Sequence, residues 1–153
     1  MAFLLALNNV AAPELFRDQA MPARPWGLTA VPLSYAPAVK APPDLAIVRQ
    51  ETPDGPDLVR CWTQKSPARQ LPNLPKVPML VVTAEASYHA PYDHCTVKYL
   101  EQAGVHATWM KLGDLGIHGN GHMIMLEKNN MEVAEQMSKW LAKMLPAPTK
   151  KSR

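Results

Sequence analysis

The distribution of proline restricts the fold of this sequence more than any other feature. Thirteen of its sixteen prolines lie between Pro13 and Pro78. Proline lacks a backbone N–H donor and disfavours helical geometry in the residue before it, so it interrupts helices. The first half of the chain therefore cannot hold long helices, and we expect most of the regular secondary structure after Pro78.

The first half contains one clear strand pattern. The apolar run Met1–Leu7 predicts a strand that is buried on both faces, as in a parallel sheet. Residues 10–76 then predict an irregular, lid-like insertion, because so long a stretch without regular structure inside a compact domain is usually a functional loop. Within it, residues 42–51 predict one short helix that Asp44 would cap.

The second half alternates strands and helices. Apolar, β-branched runs predict strands at 78–85 and 106–112, and helical spacing predicts helices at 90–104 and 130–145. A glycine-rich loop, residues 113–126, precedes the last helix. This alternation predicts the α/β class, with a short parallel sheet and flanking helices.

Each predicted helix has an apolar face that we expect to be buried. In the first helix this face consists of Tyr92, Cys95, Tyr99, Leu100 and Ala103. In the last helix it consists of Met131, Ala134, Met137, Leu141 and Met144. We expect these methionines, together with Met123 and Met125, to fill the core rather than to form a cofactor site.

Composition and charge exclude several classes of protein. Hydrophobic residues make up 47% and charged residues 19%, which is typical of one globular domain. The net charge of +3 includes a basic tail at residues 150–153, and no basic stripe predicts nucleic-acid binding. The segment Met1–Val10 is too short to span a membrane and lacks a basic leader region. We therefore expect a cytosolic protein without a membrane or nucleic-acid partner.

The two cysteines, Cys61 and Cys95, do not make a disulfide framework. Cys95 falls on the apolar face of a predicted helix, where a buried free thiol is common. Spacing alone does not give the geometry that a disulfide needs. We expect two thiols, with a disulfide as the alternative.

His122 is the strongest candidate for chemistry. It follows Gly119-Asn120-Gly121 in the loop between the last strand and the last helix. Open α/β sheets place their sites beyond the carboxyl ends of strands, and the pKa of histidine suits proton transfer near neutrality. On spacing alone, a histidine that only caps the last helix is an equal alternative.

Glu85 is the second candidate, because it ends the strand 78–85 and its carboxylate could orient an imidazole. A solvated loop glutamate is the alternative. His89, Asp93 and His94 could join His118 and His122 as metal ligands, but the spacing lacks the His-Glu-x-x-His pattern of zinc proteases. We expect no metal and no cofactor.

No nucleophile motif is present in the sequence. None of the serines lies in a Gly-x-Ser-x-Gly elbow, and no glycine-rich phosphate loop occurs.

Three stretches resemble a known family, the microbial α/β-hydrolases of the serine-esterase type. They are PARQLPNL (67–74), PMLVVTAEASYHAPYDHCTVKYLEQAGV (78–105) and GIHGNGHMIMLEKNN (116–130). The resemblance implies that residues 1–149 are the C-terminal part of such a domain, a partial α/β-hydrolase fold. It also implies ester hydrolysis without a cofactor, with His122 as the histidine of the catalytic triad.

The same resemblance implies that parts of the catalytic machinery are missing or altered. The family's nucleophilic serine and oxyanion hole precede the strand that matches residues 1–7. The triad acid often follows that strand, where this chain has Asn8 in the run Leu7-Asn8-Asn9. Glu85 occupies the other common acid position. Asparagine can orient an imidazole but cannot stabilise imidazolium by charge.

Four functional hypotheses follow from the resemblance. The first is a hydrolase for small ester or acyl substrates, truncated before its nucleophile and inactive alone. The second is a subunit that pairs through an open sheet edge with itself or with an N-terminal half. The third is a non-catalytic protein that binds a small molecule or acts as a scaffold. The weakest hypothesis is a recruited nucleophile, Ser87 or Cys95.

Overall fold

The computed structural model describes residues 24–145. The predictions for residues 1–7, Asn8 and the tail 150–153 lie outside these residues. The main elements are β1 (Ile47–Arg49), β2 (Trp62–Gln64), β3 (Met79–Thr83), α1 (Asp93–Gln102), β4 (Ala107–Lys111) and α2 (Asn130–Met144). The predicted order after Pro78 of strand, helix, strand, loop and helix is confirmed.

Two small sheets give the described residues a mixed α/β character. β3 and β4 pair in parallel, with Met79 opposite Ala107 at one end and Thr83 opposite Lys111 at the other. Parallel neighbours need a crossover connection, which α1 provides. β1 and β2 pair antiparallel. The predicted short parallel sheet is therefore confirmed for these two strands.

Helix α1 buries the face that its spacing predicts. Tyr99 and Leu100 are fully buried, and Leu100 packs with Val81, Val105 and Ala107 of the sheet layer. The helix is followed by Gly104, whose φ of 74° is a left-handed conformation that glycine adopts without strain. This packing fixes α1 against the sheet, and with it the residues at the helix N-terminus.

The helix predicted over residues 42–51 is wrong. The structure has a single 3-10 turn at Pro42–Leu45, and β1 follows at Ile47–Arg49. Ala46 takes a left-handed conformation with φ of 48°, which ends the helical path. The Asp44 carboxylate accepts backbone N–H groups that precede the turn, as a capping side chain does.

Part of the predicted insertion contributes to the main core. Tyr35, Leu45 and Leu71 are buried in the same cluster as Leu100 of α1. The Tyr35 hydroxyl is hydrogen-bonded to the Tyr99 hydroxyl at 3.0 Å. The first half therefore packs against α1 over this part of its length, and a lid function stays a prediction.

The predicted burial of methionines is wrong for most of them. Met123, Met125 and Met131 are 51%, 57% and 76% exposed. In α2 the residues that turn inward are Val133, Met137 and Trp140, which recur at i, i+4 and i+7. Met131 precedes Val133 by two residues and so lies on the opposite side of the helix.

The prediction of two free thiols is also wrong, because Cys61 and Cys95 form a disulfide. Their Cα atoms lie 5.2 Å apart, and both residues are fully buried. Packing of α1 against the segment that leads into β2 brings Cys95 to Cys61, which the chain separates by 34 positions. Tertiary contact thus decides a pairing that spacing cannot reveal.

Within residues 24–145, neither helix is long and apolar enough to cross a lipid bilayer.

Candidate functional site

The loop that carries His122 is held at several points. Gly119 has a φ of 74°, and the carbonyl of the next residue, Asn120, accepts the backbone N–H of Ala86 at 3.0 Å. The Asn120 amide forms a reciprocal pair with the Asn129 amide, at 2.6 and 3.1 Å. These bonds tie the loop both to the turn after β3 and to the start of α2.

We expect Asn120→Ala to destabilise the protein by about 1–3 kcal/mol, because it leaves the Asn129 amide without its partner. Asn120 is only 2% exposed, so water cannot readily replace the lost bonds. Urea denaturation measures the change, with the exposed Asn73→Ala as the control. Equal effects of the two substitutions would contradict this role of the amide pair.

The His122 imidazole stacks on a second histidine. The rings of His122 and His89 are nearly parallel, with an interplanar angle of 5° and centroids 4.1 Å apart. The Tyr88 ring lies 4.7 Å from His122 in a tilted arrangement. His89 Nδ1 lies 3.4 Å from a carboxylate oxygen of Asp93, the first residue of α1. His122 therefore lies at the end of a histidine–carboxylate pair.

The surroundings of His122 lower its pKa below the ordinary value of 6.5. Partial burial is the largest cause, because it disfavours the charged imidazolium. The electrostatic interaction with His89 lowers the pKa of His122 further, while the interaction with the Asp93 carboxylate raises it. His122 is consequently neutral near pH 7, the state in which an imidazole accepts a proton.

The carboxylate of Glu85 contacts His118 rather than His122. His118 Nδ1 lies 3.2 Å from each Glu85 carboxylate oxygen, and the Gly119 backbone N–H donates to one of them at 3.1 Å. The Gly119 N–H and then His118 hold the pKa of Glu85 below its usual range. Both side chains of this pair are more than half exposed. A triad role for Glu85, and for Asn8, stays a prediction.

In the structure His89 therefore lies between the Asp93 carboxylate and the His122 ring. The sequence pointed to His89 and Asp93 only as metal ligands. Their i, i+4 spacing at the start of a helix, just past the carboxyl end of a strand, is the signal for an imidazole–carboxylate pair.

A cavity of about 430 Å³ opens beside His122. It lies between strand β3, the loop that carries His122 and helix α2. Few of its lining groups are polar, and among them the Ser87 hydroxyl accepts the backbone N–H of His89 at 3.1 Å. The lining residues are Leu80, Val82, Ala84, Ser87, His89, Asp93, His122, Met123, Ile124, Met125, Asn130, Val133, Ala134 and Met137.

Among the described residues, three side chains of the types that bind metal ions lie close together: Cys61, His94 and Cys95. His94 Nε2 lies 3.1 Å from the Cys61 sulfur, and burial lowers the pKa of His94. Both sulfurs belong to the disulfide, so neither is a thiolate ligand. The same bond removes Cys95 from consideration as a recruited nucleophile.

Comparison with known proteins adds to this geometry. The chain is 46% identical over 145 residues to a probable secreted lipase, phiG, of Fungal sp. (strain ATCC 74256). This similarity relates the chain to lipase-like hydrolases. It covers 92% of this chain but 39% of the relative, so the chain spans about two fifths of that lipase's length. No protein-family model matches the chain. No solved structure matches it either.

The relationship supports the resemblance to an esterase-like hydrolase at a coarse level, whereas the α/β-hydrolase fold itself stays a prediction. The predicted cytosolic location is wrong. The relative is named as secreted, and disulfides such as Cys61–Cys95 persist in oxidising compartments and are rare in the cytosol. The disulfide between Cys61 and Cys95, rather than the number or spacing of the cysteines, indicates an oxidising compartment.

Proposed function

We propose that this chain is the histidine-bearing, acyl-binding part of a secreted serine hydrolase of the α/β-hydrolase fold that cleaves carboxylic esters. The observation that carries the proposal is the apolar cavity beside His122. It combines a proton acceptor with a place for the acyl chain. The lipase-named relative supports the same class of reaction.

In this proposal His122 is the general base. It takes the proton of a serine hydroxyl as the oxygen attacks the ester carbonyl, and later returns the proton to the leaving alcohol. Partial burial favours this role because it keeps the imidazole neutral. The serine and the oxyanion-hole donors come from polypeptide outside these 153 residues, either in a longer form of the chain or in a partner chain.

The cavity favours an uncharged, aliphatic acyl group. Leu80, Val82, Val133 and Met137 supply apolar walls, and the volume falls within the usual range of roughly 300–1,000 Å³ for ligand pockets. Methionine side chains adapt their shape to a flexible chain. Asp93, which lines the same cavity, is turned toward His89 and Thr83 by its contacts.

The exposed apolar rim of the cavity favours a second polypeptide segment over a chain that acts alone. Met123 and Met125, which line the cavity, are 51% and 57% exposed, and the next residue, Leu126, is 76% exposed. Such a cluster is a typical interaction surface. In the proposal the remainder of the hydrolase covers it, together with the edges of β3 and β4 that no other strand among residues 24–145 pairs with.

The decisive experiment compares the 153-residue chain with a fusion of this chain to the part of the lipase-named relative outside the matched region. We expect the fusion to hydrolyse p-nitrophenyl esters and to react with a fluorophosphonate at a serine of the added part. We expect neither activity from the chain alone. Labelling of the isolated chain at Ser87 would overturn the assignment of the nucleophile. A folded fusion that binds a fatty acid without hydrolysing any ester would favour the non-catalytic alternative.

Substitution of a cavity residue tests the acyl site separately. Ala134 lines the cavity from an exposed position of α2, so Ala134→Trp fills the cavity without crowding the core. We expect the fusion that carries it to lose about tenfold or more in kcat/KM for octanoyl esters and little for acetyl esters. Ala142→Trp, at an exposed position of α2 outside the cavity lining, is the matched control. Equal losses for both esters would contradict an acyl site here.

A further inference from the structure

The proposed proton transfer uses His122 but assigns nothing to His89, although His89 is 6% exposed and stacks directly on His122. We propose that His89, oriented by Asp93, is a positioning residue that fixes the plane of the His122 imidazole. The catalytic consequence of this inference rests on the proposed function, whereas the geometry does not.

The orientation of His89 is set by a chain of polar contacts, two hydrogen bonds and then a histidine–carboxylate contact, that begins in the sheet. Trp109 Nε1–H, which can only donate, binds the Thr83 hydroxyl oxygen at 2.9 Å. The Thr83 hydroxyl donates in turn to Asp93 at 2.7 Å. The second oxygen of Asp93 faces His89 Nδ1 at 3.4 Å. The chain thus joins β4, β3 and α1, the most regular part of the fold, to the His89 ring.

Three more contacts restrict His89. Its backbone N–H donates to the Ser87 hydroxyl, which holds the turn between β3 and α1. Its ring also contacts Tyr88 and Tyr92, with centroids 4.4 and 4.8 Å away. A buried ring that is held at its edge by a carboxylate and along the backbone by a serine offers a fixed surface to its neighbour.

His122, in contrast, lies in a loop, and its ring depends on its neighbours for its orientation. The groups that face it are the His89 and Tyr88 rings and, behind His89, the Asp93 carboxylate. Glu127 binds the backbone N–H of the preceding Gly121 at 2.8 Å. Since misplacement of a catalytic group by about 1 Å can cost 10²-fold in rate, the stacking surface has a direct catalytic use.

The test uses the full chain and follows the His122 ring by NMR, with its resonances assigned by their loss in His122→Ala. His89→Leu removes the aromatic face but keeps apolar bulk. Asp93→Asn keeps the shape and removes the carboxylate without touching His122. We expect both variants to lose the ring-current shift of His122 and to increase the mobility of its ring. His106→Ala, at an exposed position beside the opposite end of β4, is the control.

The Asp93→Asn result separates positioning from simple packing, because the substitution preserves volume. An unchanged His122 shift and mobility in that variant would overturn the proposal. If a thermal melt shows that Asp93→Asn does not fold, Thr83→Val replaces it, because it removes the hydrogen bond that Thr83 donates to Asp93. An unchanged His122 shift and mobility in Thr83→Val would likewise overturn the proposal. His89→Phe supplies rescue: it restores an aromatic face, so we expect it to recover part of the ring-current shift that His89→Leu loses.

A kinetic measurement on the fusion adds the catalytic consequence. We expect Asp93→Asn to lower kcat by about 10²-fold with little change in KM, because the cavity that binds the acyl chain is kept. An inactive wild-type fusion would contradict the proposed function but would not affect the NMR result. An active fusion whose Asp93→Asn variant keeps its kcat would refute the positioning role.

Discussion

His122→Ala in the fused hydrolase is expected to lower kcat/KM for p-nitrophenyl esters by about 10²–10⁴-fold, the usual contribution of a positioned general base. The loss should fall on kcat, because the acyl chain binds to apolar walls that the substitution leaves in place. Steady-state kinetics at saturating and limiting ester separates the two parameters. Stability should change little, since His122 is partly exposed and lies in a loop.

His118→Ala is the matched control, because it removes an imidazole from the same loop. His118 and Glu85 form a histidine–carboxylate pair of their own, at 3.2 Å, and both are largely exposed. We expect His118→Ala and Glu85→Gln to change kcat far less than His122→Ala does. The reverse order would transfer the role of base from His122 to His118, with Glu85 as its acid.

The pH dependence of kcat/KM gives a second check on the same base. The pKa of His122 lies below 6.5, so this histidine stays neutral, and able to accept a proton, to a lower pH than an ordinary histidine. We therefore expect the acid limb of the profile to fall below the pH at which an unperturbed histidine titrates. In His89→Phe the electrostatic interaction between His89 and His122, which lowers the pKa of His122, is lost, and the limb should move toward higher pH.

The sequence predicted the second half of the fold well because local signals there agree with tertiary structure. The apolar face of α1 contains Tyr99 and Leu100, and both are fully buried. The runs that became β3 and β4 are short, apolar and bounded by turn residues, as parallel strands usually are. In α1 the spacing of apolar residues matches the buried face, so this face can be predicted from the sequence alone.

The first half could not be predicted in the same way, because its structure depends on distant partners. β1 is three residues long and exists through its pairing with β2, which lies more than ten positions along the chain. Propensity favoured a helix at the same place, and the left-handed Ala46 ended it. In α2 the apolar spacing predicted the face with Met131 and Met144, whereas packing against β3 and β4 buries the one with Val133 and Trp140.

The candidate site shows the same division. Spacing singled out His122 from its glycine-flanked loop and Glu85 as a possible acid, and the structure places the Glu85 carboxylate against His118. Whether a carboxylate reaches a given histidine depends on the path of a loop, which Gly119 and Asn120 determine through backbone bonds. The rings that contact His122 come from Tyr88 and His89 in the turn before α1, and only the folded chain shows their stacking.

Replacement of both Cys61 and Cys95 by alanine is expected to destabilise the described domain by about 3–4 kcal/mol, the effect predicted for a loop of this length. A small domain is stable by only about 5–15 kcal/mol, so this is a large fraction. The bond joins the proline-rich half to α1, and Trp62 packs beside it with Val59 and Tyr92. Loss of the bond should therefore loosen β1 and β2 before it affects β3 and β4.

Urea denaturation followed by tryptophan fluorescence, with and without a reducing agent, measures this effect and contains its own control. Reductant should lower the midpoint of the native chain to that of the double alanine variant and leave the variant unchanged. An equal response of both proteins would show that the reductant acts elsewhere, and no response of either would contradict a stabilising disulfide. Hydrogen exchange then locates the effect, because a bond that anchors the first half to α1 protects the amides of β1 and β2 more than those of β3.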